Sequence, residues 1–264
     1  MLFLFVAAGV AVGAPGPEAD AVAHRHVAPY VADLPIDHAA TCAALLKQNP
    51  PQAEAEANDW AKAGGGADAR KCLALALAAQ EKWAPAADAF EQAGRAAELD
   101  HKPVAAALWM QAGNAALAGD EAARARKAFD RALGLPGLSN EMKGEVHLDR
   151  ARAGVAAADL AGARADLAEA TRLVPRDPLG WLLTANLARK QKDLPAALNA
   201  IREAARLAPR DAAVAYEGGN IAAAGGQMDD AKAAWTRAAQ LDPQSDAGQA
   251  AALALRGGGD AAKP

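Results

Sequence analysis

Five histidines and two cysteines are the residues of this sequence best suited to metal ligation or nucleophilic chemistry. They do not converge. His24, Arg25 and His26 form one short cluster, with His38 further along the chain. No second group at ligand spacing completes a metal site, so the cluster reads as a solvated segment. The glycine triplets Gly64–Gly66 and Gly257–Gly259 lack the Lys-Ser/Thr of a phosphate loop and follow no strand pattern, so they read as helix stops. HExxH, CxxC and a serine in a nucleophile-elbow setting do not occur in the sequence. The expectation is a chain without catalytic residues, metal or cofactor, and therefore not an enzyme.

The spacing of Cys42 and Cys72 fits no metal motif. Two readings stand for them. In an exported chain an even cysteine count points to a disulfide, which for a loop of this size stabilises by about 3.5 kcal/mol on chain-entropy grounds. In a reducing compartment they are two small buried hydrophobes. The N-terminal residues bear on the choice. Leu2 to Val12 form an apolar run far shorter than a membrane-spanning helix needs, followed by small-x-small patterns at Ala19–Ala21 and Ala21–Ala23. Residues 1–23 are expected to be a signal peptide and 24–36 a linker, with the mature chain exported, to the periplasm if the source is bacterial. No Lys or Arg precedes the apolar run, which leaves an N-terminal membrane anchor as the alternative.

The elements that must carry any site come from composition and periodicity. Hydrophobic residues make up 52% of the chain but aromatics only 4%, and alanine supplies much of the difference. Alanine is the best helix former and too small to fill a thick core, so many closely approached helices are expected. A formal net charge of -4 and the lack of a dense basic block exclude a nucleic-acid binder, and no segment suits an integral membrane span.

Pro175, Pro209 and Pro243 recur at one constant step in sequence number. Ala163, Ala197 and Ala231 keep that step, as do the large residues Leu167, Ile201 and Trp235 and the small residues Ala170, Ala204 and Ala238. Within each unit two apolar-periodic stretches of about a dozen residues flank a break, as at Lys192-Asp193, which gives a helical hairpin. The recurring alanines let the second helix approach the first, the large residues fill the seam to the next unit, and the proline ends the hairpin. The segment LWMQAGNAALAGDEAARARKAFDRALGLP carries the same grammar in Trp109, Gly113, Ala125, Phe129, Ala132 and Pro136. Here the spacing loosens: the steps from Ala93 to Ala132 and from Ala132 to Ala170 both exceed the regular one. The surplus in GLPGLSNEMKG is expected to project as a loop.

This small-large-small-proline unit, with its period of about 34 residues, resembles the tetratricopeptide repeat. The resemblance implies an all-α, right-handed superhelical α-solenoid of antiparallel helix pairs. Five units are expected over residues 67–243, the last three regular. Residues 37–66 read as a degenerate N-terminal pair, 244–256 as a capping helix, and 257–264 as a disordered tail. Ala116, Ala188 and Ala222 stand where the family has a tyrosine, so single units should be thinly packed.

In this family the first helix of each unit lines a concave groove for a peptide or partner helix. The resemblance places Asn114, Arg152, Asn186 and Asn220 there, one per unit, with Arg189 and Lys190 adding charge and Met110, Leu148, Leu182 and Tyr216 apolar contacts. Asn both donates and accepts, which suits a peptide backbone; it also caps and packs helices. The functional expectation is a non-catalytic scaffold for a protein or peptide partner in the cell envelope. The alternative is a self-associating assembly factor with no groove ligand.

Overall fold

The computed structural model describes residues 37–257. The expected signal peptide, the linker and the tail from residue 258 lie outside the described residues. Among the described residues there are thirteen α-helices and no strand. They are α1 (His38–Gln48), α2 (Pro50–Lys62), α3 (Gly66–Ala78), α4 (Trp83–Leu99), α5 (Ala105–Ala118), α6 (Ala122–Leu133) and α7 (Asn140–Ala156). The second half holds α8 (Leu160–Leu173), α9 (Pro178–Lys190), α10 (Leu194–Leu207), α11 (Ala212–Ala224), α12 (Met228–Leu241) and α13 (Asp246–Arg256). Successive pairs from α3–α4 to α11–α12 pack as five hairpins, each on the next, with α1–α2 before them and α13 after. The architecture is an α-solenoid.

Local chemistry sets the helix limits. Asp37, Asn49, Ser139, Asp159, Asp177, Asp193, Asp211 and Ser245 each accept a backbone N–H of the following first turn. Pro50, Pro178 and Pro195 sit in first turns, where a missing N–H does no harm. Each hairpin turn contains one residue in the left-handed region: Glu81, Asp120, Ala158, Lys192 and Gly226, with φ between 57° and 77°. Only Gly226 adopts it without steric penalty.

Packing inside a unit is tightest where a large residue meets a glycine. A Cβ on Gly113 would overlap the ring of Phe129, and one on Gly219 would stand 2.5 Å from Trp235. In the second and fifth units glycine gives the aromatic ring of the second helix its room, while the third and fourth units have Leu167 and Ile201 in register with Ala151 and Ala185. The first unit, with Phe90 and Ala74, fits neither pattern. The large residues thus fill the seam within their own unit, not only the seam to the next.

The loop expected to project at GLPGLSNEMKG does not. Ser139 caps α7 at Asn140, so the surplus lengthens that helix to 17 residues, and Leu138 is buried in the core. Leu135 and Pro136 line a cleft with His101, Lys102 and Pro103 of the α4–α5 connection. The long step from Ala93 to Ala132 is absorbed likewise by an α4 of 17 residues. A helical turn satisfies its own backbone hydrogen bonds, so the extra residues add helix rather than exposed loop. Cys42 of α1 and Cys72 of α3 are joined as a disulfide with Cα atoms 6.1 Å apart.

Candidate functional site

The face built by the first helices carries the residues singled out by the sequence, in three different situations. Arg152 on α7 and Asn186 on α9 line one pocket of about 150 Å³ with Val155, Leu167, Leu183 and Leu187. Arg152 is exposed and its Nη1 donates to Asp149 at 3.0 Å. Burial pushes the Asp149 carboxyl above the ordinary carboxylate range, against the pull of Arg152. The pocket is an apolar floor with one guanidinium and one carboxamide at its edge. It suits an aliphatic side chain next to a carboxylate or peptide carbonyl.

A second group surrounds Glu217 of α11, a carboxylate only 4% exposed. Arg189 donates to it through Nε at 2.7 Å and Nη2 at 3.3 Å. Asn186 and Asn220 each add an Nδ2 donor at 3.3 Å. The carbonyl of Asn220 accepts Trp235 Nε1 at 3.0 Å. Asn186, Arg189 and Asn220 are therefore occupied with one another's neighbour rather than presented to solvent. They lock α9 to α11 and supply a fixed polar wall.

Third, Asn114 on α5 joins neither group, and its Oδ1 is buried without a hydrogen-bond donor among the described residues. Lys190 is exposed at the end of α9. Tyr216 is half-buried against the cluster around Trp235. No group of three or more metal-ligating side chains occurs among the described residues.

Glu217 escaped the sequence reading, yet it leaves a mark there. It is the only charged residue in AAVAYEGGNIAAA, the whole of α11. A lone carboxylate inside such a stretch implies a buried cationic partner. Asp166 on α8 was missed too. Its carboxylate receives His147 at 2.8 Å and Arg150 Nε at 3.1 and 3.0 Å, while Arg150 Nη1 reaches Asp130 of α6 at 2.6 Å. Burial pushes the Asp166 carboxyl up, but His147 and Arg150 outweigh it and hold it below the ordinary range. Its stabilising contribution is present above the unfolded carboxylate pKa and fades as pH falls through the lowered one.

Glu217→Ala is expected to destabilise the array by about 3 kcal/mol, because it strands a largely buried guanidinium and two amide donors. Glu217→Leu/Arg189→Leu, which removes both charges, should recover most of that loss. Urea unfolding of the two variants checks this; equal losses would show that the charges are not paired energetically.

No protein-family model matches the sequence. No curated protein matches it either. Solved structures do match. The chain is similar to PilW, described as a widely conserved type IV pilus biogenesis factor, with 19% identity and a TM-score of 0.64 over 81% of this chain and 96% of that one. Pseudomonas aeruginosa PilF follows at 17% identity and 0.62, covering 82% of this chain and 95% of that one. YrrB, described as a TPR protein with an unusual peptide-binding site, gives 19% identity and 0.55 over 74% of this chain and 96% of that one. The chain has the tetratricopeptide-repeat fold. In this tetratricopeptide-repeat solenoid the α7–α9 pocket and the Glu217 cluster are built mainly from first helices, with Leu167 of α8 and Trp235 of α12 completing them. No helix among the described residues is long and apolar enough to cross a membrane.

Proposed function

We propose that this array is a non-catalytic binding module whose inner face, from α7 to α11, receives an extended segment of a partner protein in the cell envelope. The observation that carries the reading is the pocket shared by Arg152, Val155, Leu183 and Asn186, where an exposed guanidinium borders an apolar floor. Its far wall is fixed by the Glu217 cluster, so a peptide laid across it meets a preorganised surface. The fold is one that YrrB, described as having a peptide-binding site, also adopts. Export is supported by the disulfide between Cys42 and Cys72, a bond that is rare outside oxidising compartments. Similarity in fold to PilW, a pilus biogenesis factor, favours the periplasm of a bacterium as that compartment.

A photo-crosslinking residue placed at Arg152 is expected to capture a discrete partner in envelope fractions of the source cell, and one placed at Glu203 on α10 is not. Arg152→Glu combined with Val155→Asp should weaken the captured partner's affinity on the order of tenfold, equivalent to about 1.4 kcal/mol. Equal capture at both positions would remove the inner-face assignment.

A further inference from the structure

The fourth residue of each repeat, counted in the common register, is Arg70, Trp109, His147, Trp181 and Ala215. In the second and fourth units this residue is a tryptophan that reaches back to the preceding unit, whereas Arg70 donates to the Gly66 carbonyl of its own helix, and a cleft of about 600 Å³ remains beside Trp109. Trp109 is held by a hydrogen bond to Glu98, with the Arg95 guanidinium 5.7 Å from its ring centroid. In the third unit the residue is His147, which instead turns to Asp166 on α8 of its own hairpin. In the fourth it is Trp181, its Nε1 donating to the carbonyl of Pro175 at 3.0 Å.

The fifth unit has only the methyl of Ala215, and Gly218 follows one helical turn later. A cleft of about 500 Å³ opens there between α10, α11 and α12, floored by Ile201, Val214, Ala215 and Gly218 and edged by Arg202 and Arg237. Pro209 is the counterpart of Pro175, and its carbonyl, which one repeat earlier accepts an indole, here accepts Arg237 Nη2. The acceptor and the apolar floor of a tryptophan site are both present; the tryptophan is not.

We propose that this cleft is a socket for an aromatic side chain, a tryptophan above all, carried by an acidic segment of a partner protein. The ring fills the volume that Trp181 fills one unit earlier and donates its N–H to the Pro209 carbonyl. Arg237, released from that carbonyl, pairs with a flanking carboxylate. Arg202, exposed at the edge of the cleft, is available for a second. The one acidic group at the edge, Asp211, already accepts the N–H groups of Ala213 and Val214 as the cap of α11. The charge balance of the cleft therefore favours an anionic segment, and a guanidinium over a ring adds cation–π attraction. Ala215 and Gly218 face away from Tyr216 and Asn220 on α11 by the helical repeat of roughly 3.6 residues, so this socket is separate from the inner face.

The test is calorimetric titration of the full chain with the capped peptide acetyl-Glu-Glu-Trp-Glu-Glu-amide and with the same peptide carrying Ala for Trp. The tryptophan probe is expected to bind with a Kd below about 1 mM and the alanine probe not to bind. Ala215→Trp fills the socket from within and should abolish binding. Gly218→Val should do the same, and the nearest atom to a Cβ there is Ile201 Cγ1 at 3.9 Å, so the backbone need not move. Arg202→Glu/Arg237→Glu should weaken the probe on the order of tenfold or more. Absence of saturable binding by the wild type, or undiminished binding by both filled variants, would overturn the proposal. Loss of binding in Arg152→Glu alone would overturn it too, by placing the probe on the inner face. A wild-type dimer in light scattering that Ala215→Trp turns into a monomer would give the socket to a second copy of the chain instead.

Discussion

Replacing Trp235 with alanine is expected to cost about 4 kcal/mol, and the loss should be confined to the C-terminal end of the stack. Trp235 is 1% exposed, packs against the bare backbone of Gly219, and anchors a cluster with Ala231, Ala238, Ala251 and Ala254. Every other fully buried member of that cluster is an alanine, so only the half-buried Tyr216, Met228 and Leu255 at its edge could shift toward the space vacated. A cavity term then adds to the transfer term. The substitution also leaves the Asn220 carbonyl without its donor, and Asn220 is one of the groups that hold Glu217. In a solenoid each unit touches only its neighbours, so α11–α13 should fray while α3–α8 keep their protection. Hydrogen exchange across urea titrations reads both quantities. A loss below about 1 kcal/mol, or protection lost evenly along the chain, would contradict this picture.

The same locality explains what the sequence made legible. The constant step from Pro175 to Pro209 to Pro243 survives also in alanines and large residues because each performs the same packing task in every unit. Helix pairing, the order of units and the cap α13 follow from it. The hairpin turns were less legible, because four of the five left-handed positions carry Glu81, Asp120, Ala158 and Lys192 instead of glycine. The packing of each hairpin, not the turn residue, imposes that conformation. The surplus between Ala132 and Ala170 read as loop because Gly134, Pro136 and Gly137 punctuate it, whereas Ser139 restarts the helix early enough to absorb the remainder.

On the first helices, residue type singled out Arg152 and Asn186, which share a pocket, but not the partner each side chain finds. Asn186, Arg189 and Asn220 look like free hydrogen-bonding groups until Glu217 is seen between them, and Glu217 lies one helix away from two of the three. Contacts between α9 and α11 such as Arg189 to Glu217 and Asn186 to Glu217 are near-period contacts, in which any residue has several candidate neighbours. Sequence pattern fixes the face of a helix but not which of those neighbours a side chain reaches. The vacancy at Ala215 differs: it is visible as a break in the series Trp109, His147, Trp181, and gains meaning only once the Pro209 carbonyl and the cleft are seen.

Reducing the disulfide between Cys42 and Cys72 is expected to lower the stability of the N-terminal end by about 3.5 kcal/mol, the loop-closure entropy returned to the unfolded chain for a sequence separation of 30. The reason is the thinness of that end. The sole buried residue of α1 is Cys42, and α2 buries only Ala53 and Ala57. Trp60, stacked on His38 with ring centroids 5.2 Å apart, is only half-buried. So little apolar area cannot offset the entropy of ordering two helices, and the covalent link from α1 to α3 makes up the difference. Oxidised protein should show no thiols and gain two hydrogens in mass on reduction. Reduced protein, or Cys42→Ala/Cys72→Ala, should lose exchange protection in α1 and α2 and retain it from α5 to α12. Unchanged protection in α1 and α2 after complete reduction would mean that packing alone holds them. The α7–α9 pocket and the α10–α12 cleft, two or more units from α3, should keep their shape, because in a stack of nearest neighbours the loss of one end does not reach them.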